Sequence, residues 1–378
     1  DLGPIPTNIF EIAIGLTSIL GIIEFIKSRR KPELGGYWPY LLLLAALISV
    51  FVAPDKLNAL GIFKGWFVVP FMLYLLMINF LEAKCIFKVS LILFVQLLFI
   101  SLWAILQRIG IIPTLFYQVG DSSFNQYLVE GRAFGPFESP NFLAMYLAPV
   151  IFLSSLFIQQ ISSKLSRIII ILLFILPFTA LYLSGSNGGI LAILAALFLV
   201  LIFMTWSRNK QGKLIAIAFL LVGAVSLGII FSKNDLNSGS NDIRREIYSY
   251  SKTMLEGHPV VGIGLGNFQN EIAQYSKDNG SFQMWGLPFA LHPHNVYIAF
   301  WLNLGLLGIV SFLVLLVRFF ANLNKIKTSF YRTLLLASMS TILVHGLFDT
   351  TYFKNDLSSI FWLILAVAYL AQEGKDED

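Results

Sequence analysis

Long uninterrupted apolar runs are the feature that most restricts how this chain can fold. Each run is about 20 residues long, and a helix of that length crosses a hydrocarbon layer ~30 Å thick. The runs do not alternate between apolar and polar residues, which favours membrane helices over an outer-membrane barrel. Only 12% of the residues are charged, against roughly 25% in soluble domains. The sequence therefore predicts an all-α integral membrane protein, with residues 1–378 forming a single polytopic membrane domain.

We predict eleven transmembrane helices, or twelve if a further helix precedes the first. A large external loop with short helices is expected between the eighth and the ninth. The eleven predicted spans lie near residues 8–27, 37–53, 62–80, 86–107, 140–160, 167–184, 187–206, 213–232, 295–317, 333–349 and 357–372.

The distribution of basic residues indicates the orientation of these helices. Most of the 26 Lys and Arg residues fall in one alternate set of loops, which the positive-inside rule places in the cytoplasm. The long polar loops 108–139 and 233–294 are then expected outside the cytoplasmic membrane, the larger one carrying the active site. The net charge of +5 serves this orientation and does not indicate nucleic acid. The single Cys85 excludes an intramolecular disulfide.

His292-Pro293-His294-Asn295 stands at the external start of the predicted span 295–317. Two of the four histidines of the chain fall within it. Imidazole is the side chain best suited to proton transfer near neutral pH. We therefore predict His294 as a general base, with His292 as its helper and Asn295 in support. A structural pair bonding to loop carbonyls is the alternative; a metal site is not predicted, because no Cys or carboxylate at ligand spacing is evident nearby.

A third histidine, His345, falls inside the predicted span 333–349. Ionisable groups within a membrane usually face a cavity or a partner. Asp349, one helical turn further on, is the expected partner. The fourth histidine, His258, is expected at the surface.

Several cations on the predicted external side are candidate ligands for phosphate oxygens. Arg132 lies in a loop shaped by glycine and proline that ends at Asn141, and its planar donor fork suits phosphate. Arg244 and Arg245 are adjacent in a predicted helix, so they point about 100° apart and only one is expected to face a cavity. Lys64 starts a span beside Trp66. Pairing with headgroups or solvent is the alternative for each cation.

The large loop also contains two further motifs. Asp242 is expected to cap a helix whose apolar residues recur at helical spacing, and this helix is predicted to lie along the membrane surface. A following glycine string includes Gly264 and Gly266 and leads into a helix predicted to begin at Asn267. It can present backbone N–H groups to an anion or serve only as a structural turn.

The order of these motifs resembles the O-antigen ligase family, which also includes O-antigen polymerases and some bacterial protein O-glycosyltransferases. The resemblance covers most of the chain and is best over 242–308. It rests on an Arg-x-x-Gly-x-Phe-x-x-Pro-Asn loop from Arg132 to Asn141, Ser184-Gly-Ser-Asn-Gly-Gly189, an Arg-containing helix, Pro259-x-x-Gly-x-Gly-x-Gly-Asn-Phe268, His292-Pro-His-Asn295 and Gly305-Leu-Leu-Gly308.

The resemblance implies transfer of a glycan from an undecaprenyl-diphosphate carrier to an acceptor hydroxyl, without a cofactor or a catalytic metal. It implies that Arg132 and one of Arg244 and Arg245 hold the diphosphate, and that His294 activates the acceptor. One departure is that the family often has Ser-Arg where this chain has Ser186-Asn187. Lys64 or Arg245 would then have to supply the missing charge.

Other functions are also compatible with the sequence. The implied partners are a lipid-linked glycan donor, a glycan, lipid or protein acceptor, and membrane lipids. A polysaccharide polymerase or a protein O-oligosaccharyltransferase would use the same donor chemistry with a different acceptor. A polysaccharide flippase is the alternative from another class, but transporters favour polar groups at the bilayer midplane and internal repeats, whereas here the polar groups gather on one side.

Overall fold

A computed structural model describes residues 7–112, 118–119, 122–123, 131–206, 238–278, 290 and 292–373. The helices are α1 (Ile9–Ser28), α2 (Trp38–Val52), α3 (Lys56–Ile62), α4 (Val69–Phe80), α5 (Cys85–Arg108), α6 (Pro140–Ser154), α7 (Lys164–Leu173), α8 (Ile175–Leu183), α9 (Asn187–Trp206), α10 (Ser238–Gly257), α11 (Phe268–Asp278), α12 (Val296–Leu323), α13 (Ser329–His345) and α14 (Asn355–Glu373). A π-helical segment (Phe63–Val68) joins α3 to α4, a 3₁₀ segment (Ser155–Gln160) extends α6, and β1 (Gln118–Val119) pairs antiparallel with β2 (Ser122–Ser123).

The helical membrane class predicted from the apolar runs is confirmed. Within the described residues, seven helices are long and apolar enough to cross a membrane, when Lys56–Phe80, Pro140–Gln160 and Lys164–Leu183 are each counted as one continuous helix. Two shorter apolar helices, Trp38–Val52 and Asn187–Ile202, accompany them. The predicted span 213–232 lies outside the described residues. The count of eleven spans, or twelve, therefore stays a prediction.

Two sequence predictions about helix ends are wrong. The helix predicted to start after Asp242 begins earlier, at Ser238, so Asp242 lies within it and is not its cap. The predicted span 333–349 ends at His345, because Gly346 follows, and glycine after a helix is a common stop.

The chain divides into two compact units. Unit 1 takes its described residues from Asp1–Asn79, Leu201–Ala321 and Gly346–Trp362; unit 2 takes them from Phe80–Val200, Asn322–His345 and Leu363–Asp378. Each unit has a core of large, fully buried side chains. In unit 1 an aromatic group includes Phe300, whose ring stacks on that of Phe312 at a centroid distance of 4.0 Å.

Within unit 1, α12 is broken at Gly305, and a loop segment fills the break. Gly305 has φ 69° and ψ −166°, a conformation that is essentially restricted to glycine. The amide of Leu306 donates to the carbonyl of Val260 at 2.8 Å, and the amide of Ile263 donates to the carbonyl of Leu302 at 2.7 Å. The backbone groups released by the break are thus hydrogen-bonded, which fixes the loop between α10 and α11 against α12.

The helix predicted from apolar spacing in the large loop is present as α10. Its residues Ile247, Tyr250 and Met254 are buried in a cluster with Phe268 and Ile272 of α11. The packing fixes the rotation of α10 about its axis, because residues three and four positions apart share one face. The rotation decides which of its arginines faces the rest of unit 1.

Candidate active site

The centre of the site is a contact between the histidine loop and Asp349, all within unit 1. The rings of His292 and His294 stand edge to face with centroids 4.5 Å apart. Oδ1 of Asp349 lies 3.3 Å from Nδ1 of His294 and 3.8 Å from Nδ1 of His292. The Asp349 side chain is only 3% exposed, whereas the two imidazoles are 25% and 20% exposed. A buried carboxylate therefore faces two imidazoles that solvent can reach.

Asn295 brings these two segments together. Its Oδ1 accepts hydrogen bonds from the amides of Tyr297 and Ile298, both at 3.0 Å, and so caps α12. Its Nδ2 donates to the carbonyl of Leu347 at 3.2 Å. The amide of Val296 also donates to the carbonyl of Gly346 at 2.8 Å. Asn295 therefore acts as a cap and as a link between the histidine loop and the turn that carries Asp349.

The expectation that Asp349 lies one turn after His345 on the same helix is wrong, whereas the pairing of the two side chains stays a prediction. The helix ends at His345, so Asp349 belongs to the turn that follows and not to the same helix. Its carboxylate lies at His292 and His294. The same oxygen accepts a hydrogen bond from the amide of Thr350 at 2.9 Å, which holds the carboxylate in place.

His294 has an unusual backbone conformation. Its φ is 48°, in the left-handed region that residues other than glycine adopt infrequently and at a cost. The hydroxyl of Tyr248, on α10, donates to the carbonyl of His294 at 3.0 Å. This hydrogen bond supports the strained residue and ties α10 to the histidine loop.

Arg244 is the arginine of the predicted pair that faces this site. It lies one helical turn before Tyr248 and is half-buried, whereas Arg245 is exposed. Its charge acts on both Tyr248 and His292: burial lowers the pKa of His292 and Arg244 adds to this, whereas burial raises the pKa of Tyr248 and Arg244 partly offsets this rise. The half-buried Arg244 and the exposed Arg245 are consistent with the prediction that the two arginines point in different directions.

The pKa of His292 is lowered to about 4. Burial is the main cause, and the neighbouring His294 adds to it, while Asp349 acts in the opposite direction. Burial also raises the pKa of Tyr248 above its usual value. At neutral pH His292 is therefore neutral and Tyr248 keeps its proton as a hydrogen-bond donor.

Lys64 lies in the π-helical segment of unit 1 and pairs with a buried carboxylate. Its Nζ is 2.9 Å from Oε2 of Glu11 and donates to the hydroxyl of Thr7 at 3.0 Å. Oε1 of Glu11 accepts a hydrogen bond from Asn355 at 3.1 Å. Glu11 thus compensates the charge of Lys64, so the predicted phosphate role of Lys64 receives no support from these contacts.

Arg132 belongs to unit 2, where two of the sequence motifs meet. Its Nε donates to the carbonyl of Ser184 at 2.9 Å, and its Nη2 donates to Oδ1 of Asn141 at 3.2 Å. Gly185 has φ 61°, and a Cβ there would lie 3.2 Å from Nε of Arg132. The Arg132 loop and the Ser184–Gly189 turn therefore form one local structure in which Asn141 orients the guanidinium.

The remaining predicted residues have structural surroundings. His345 is 2% exposed in unit 2. In unit 1, a Cβ on Gly264 would lie 2.5 Å from Cα of Ala53, and one on Gly266 would lie 2.7 Å from Nδ2 of Asn58. Nδ2 of Asn267 donates to Oε1 of Glu271 at 3.0 Å. Close packing accounts for both glycines. The helix predicted to begin at Asn267 begins one residue later, at Phe268.

Three contributors were missed by the sequence analysis. Tyr248 could have been found, because it lies one helical turn after Arg244 and therefore close to it on α10. Glu11 and Gln107 have no local sequence signal, because the contacts of both depend on the fold. Glu11 pairs with Lys64, and Oε1 of Gln107 accepts hydrogen bonds from the amides of Phe134 and Gly135 in unit 2.

Among the described residues, His292, His294 and Asp349 are the one set whose spacing could hold a metal ion. One ligand atom from each lies within 4.8 Å of the others. Cys85, the single cysteine, is half-buried elsewhere in the chain. The same three side chains can therefore serve as a proton-transfer group or as metal ligands.

Comparison with known proteins gives consistent relatives. Residues 172–313 match the family model described as O-antigen ligase. A putative polysaccharide ligase of Rickettsia felis is 26% identical over 221 residues, covering 54% of this chain and 50% of that protein. An O-antigen ligase of Salmonella typhimurium is 25% identical over 185 residues, covering 43% of this chain and 44% of that protein. The chain spans about half the length of the curated relatives it matches.

Proposed function

We propose that this chain, whose predicted resemblance to the O-antigen ligase family is confirmed, transfers a glycan from an undecaprenyl-diphosphate carrier to an acceptor hydroxyl. The reaction takes place on the external face of the cytoplasmic membrane and needs no metal. The observation that carries the proposal is the cluster of His292, His294 and Asp349, with Arg244 acting on it from α10. An imidazole can accept the proton of the acceptor, a carboxylate can orient it, and a fixed cation can stabilise the leaving diphosphate.

The acceptor is activated by His294. Asp349 faces its Nδ1, so the proton of the neutral ring is favoured on that nitrogen and the Nε2 lone pair is left to accept another. The acceptor oxygen bonds to the anomeric carbon of the donor sugar while its proton passes to Nε2. The bond between that carbon and the diphosphate breaks, and direct displacement of this kind inverts the anomeric centre.

The leaving group is stabilised by Arg244. Negative charge grows on the diphosphate as the bond to the sugar breaks, and a fixed cation in a partly buried site lowers the energy of that state. His292 remains neutral at neutral pH, so it adds no second positive charge beside His294. The diphosphate roles of Arg132, Arg245 and Lys64 stay predictions.

A polymerase or a protein O-oligosaccharyltransferase would use the same groups, and they differ from a ligase in the acceptor. The relatives named as ligases favour a ligase over these two. A flippase would need no proton acceptor, so the paired imidazoles at Asp349 favour an enzyme.

The experiment is a transfer reaction with the purified chain in nanodiscs. Undecaprenyl-diphosphate glycan is offered with a lipid, a glycan or a peptide acceptor, and the product is identified by mass spectrometry. We expect a new glycoside, release of undecaprenyl diphosphate and full activity in EDTA. Transport of the lipid-linked glycan between leaflets without any new glycoside would contradict the proposal.

A further inference from the structure

We propose that His292, His294 and Asp349 also bind Zn²⁺, and that the bound ion switches off transfer. The zinc site itself rests only on the geometry of the three side chains, whereas its inhibitory effect rests on the proposed function. The ion is a reversible inhibitor in this account, not a catalyst.

The spacing of the ligand atoms is close to that of a zinc site. Zinc bonds of about 2.0–2.2 Å to nitrogen and oxygen in a tetrahedron place neighbouring ligand atoms roughly 3.3–3.5 Å apart. Oδ1 of Asp349 lies 3.3 Å from Nδ1 of His294 and 3.8 Å from Nδ1 of His292. One ligand atom of each residue lies within 4.8 Å of the other two, so the ligand atoms need to approach by no more than about 1.5 Å to reach tetrahedral spacing.

The surroundings also suit a reversible site. Asp349 is held by the amide of Thr350 at 2.9 Å, so the buried ligand is already in position. The imidazole rings are 20% and 25% exposed although their Nδ1 atoms are buried, so an ion enters when the rings turn, and water takes the fourth position. A site with two imidazoles, one carboxylate and one open position matches zinc better than the oxygen-seeking Mg²⁺ or Ca²⁺.

One feature opposes the ion. Arg244 acts electrostatically on His292, and its positive charge weakens binding of a cation beside it. With a single carboxylate to offset it, the site should release zinc to a chelator. Removing the Arg244 charge should therefore strengthen zinc binding, although it weakens donor binding.

Zinc binding would block the proposed base through the chemistry of the imidazole ring. A neutral imidazole has one N–H and one lone pair. When Nδ1 of His294 binds the metal, that nitrogen loses its proton and the neutral ring carries its one proton on Nε2, which then donates and cannot accept. The metal also engages the Asp349 carboxylate that would otherwise orient the ring.

The test is isothermal titration of ZnSO₄ into the purified full chain in nanodiscs, followed by X-ray absorption spectroscopy. We expect one ion per chain with two nitrogen ligands and one carboxylate, binding weakened at least tenfold in His292→Gln and in Asp349→Asn, and tighter binding in Arg244→Gln. His258→Gln is the matched control, since His258 is exposed in the same unit and should leave binding unchanged. Absence of saturable binding to the wild-type chain, or its loss in His258→Gln, would overturn the site.

A transfer assay with and without ZnSO₄ tests the inhibition separately. We expect zinc to stop transfer and EDTA to restore it, and activity that requires zinc would overturn the inhibitory role. If the wild-type chain transfers glycan but binds no zinc, the zinc inference fails and the proposed function stands. If it binds zinc at these ligands but transfers no glycan, the proposed function fails and the zinc site stands.

Discussion

Oδ1 of Asp349 lies 3.3 Å from Nδ1 of His294, although one residue precedes α12 and the other follows α13. Asn295 creates this relationship, because it caps α12 through Oδ1 and bonds to Leu347 through Nδ2.

Asp349→Asn should reduce transfer by about tenfold or more, because an amide no longer favours the reactive tautomer of His294 or stabilises its protonated form. The loss should appear in kcat, with the KM for the donor little changed. Glu256→Gln on the exposed side of α10 is the control. Equal activity of Asp349→Asn and Glu256→Gln would rule out an orienting role.

Arg244→Gln and Arg245→Gln form a matched pair on adjacent residues. Arg244 acts on the site and is half-buried, whereas Arg245 is exposed. A hydrogen bond to a charged group contributes about 1.5–3 kcal/mol, so Arg244→Gln should lower kcat/KM for the donor about ten- to hundredfold. Arg245→Gln should change it little. A larger defect in Arg245→Gln would reverse the assignment of the clamp.

The stability of the fold should fall as the pH is lowered from 6.5 to 4. Unfolded His292 takes up a proton below about pH 6.5, whereas burial keeps the folded residue neutral down to about pH 4. The unfolded state binds more protons in this window, so acid favours unfolding, by about 3 kcal/mol at most. Above this window the contribution of His292 is constant. Denaturant titrations should show a smaller pH dependence for His292→Gln, and an unchanged one would contradict the shift.

Gly305→Ala should destabilise the chain and lower transfer. Its φ and ψ strain any other residue by about 1–3 kcal/mol, and a Cβ would clash with the carbonyl oxygen of Val260. The hydrogen bond from Leu306 to Val260 should weaken as well. Gly15→Ala in α1 is the control, because a Cβ there meets nothing within 4 Å. Thermal melts that do not separate the two variants would argue against a fixed break.

The sequence predicted the class of the fold and named His292, His294 and Asp349 as candidate residues, but it did not predict their contact. Continuous apolar runs indicate membrane helices, and two histidines at one helix start indicate proton chemistry, since both signals are local. Asp349 was assigned wrongly to the same helix as His345 because helical periodicity was extended past Gly346, which follows the end of α13. The contact of Asp349 with His294 depends on packing between distant segments and has no local signal.

Helical spacing could have predicted that Arg244, and not Arg245, faces the site. Ile247 and Met254 define the buried face of α10, and Arg244 lies three residues before Ile247. The same helical phase selects Tyr248. By contrast, the ion pair between Lys64 and Glu11 joins segments that are far apart in sequence. Glu11 belongs to none of the motifs, so the sequence could not predict that it compensates the charge of Lys64.

The most direct measurement compares the wild-type chain with His294→Ala in nanodiscs, using undecaprenyl-diphosphate glycan and the acceptor found active. A general base contributes about 10²–10⁴-fold to a rate. We therefore expect single-turnover transfer to fall by about that factor, while donor binding and the melting temperature remain close to those of the wild type. Transfer at the wild-type rate by a folded His294→Ala variant would contradict the central claim that His294 accepts the proton of the acceptor.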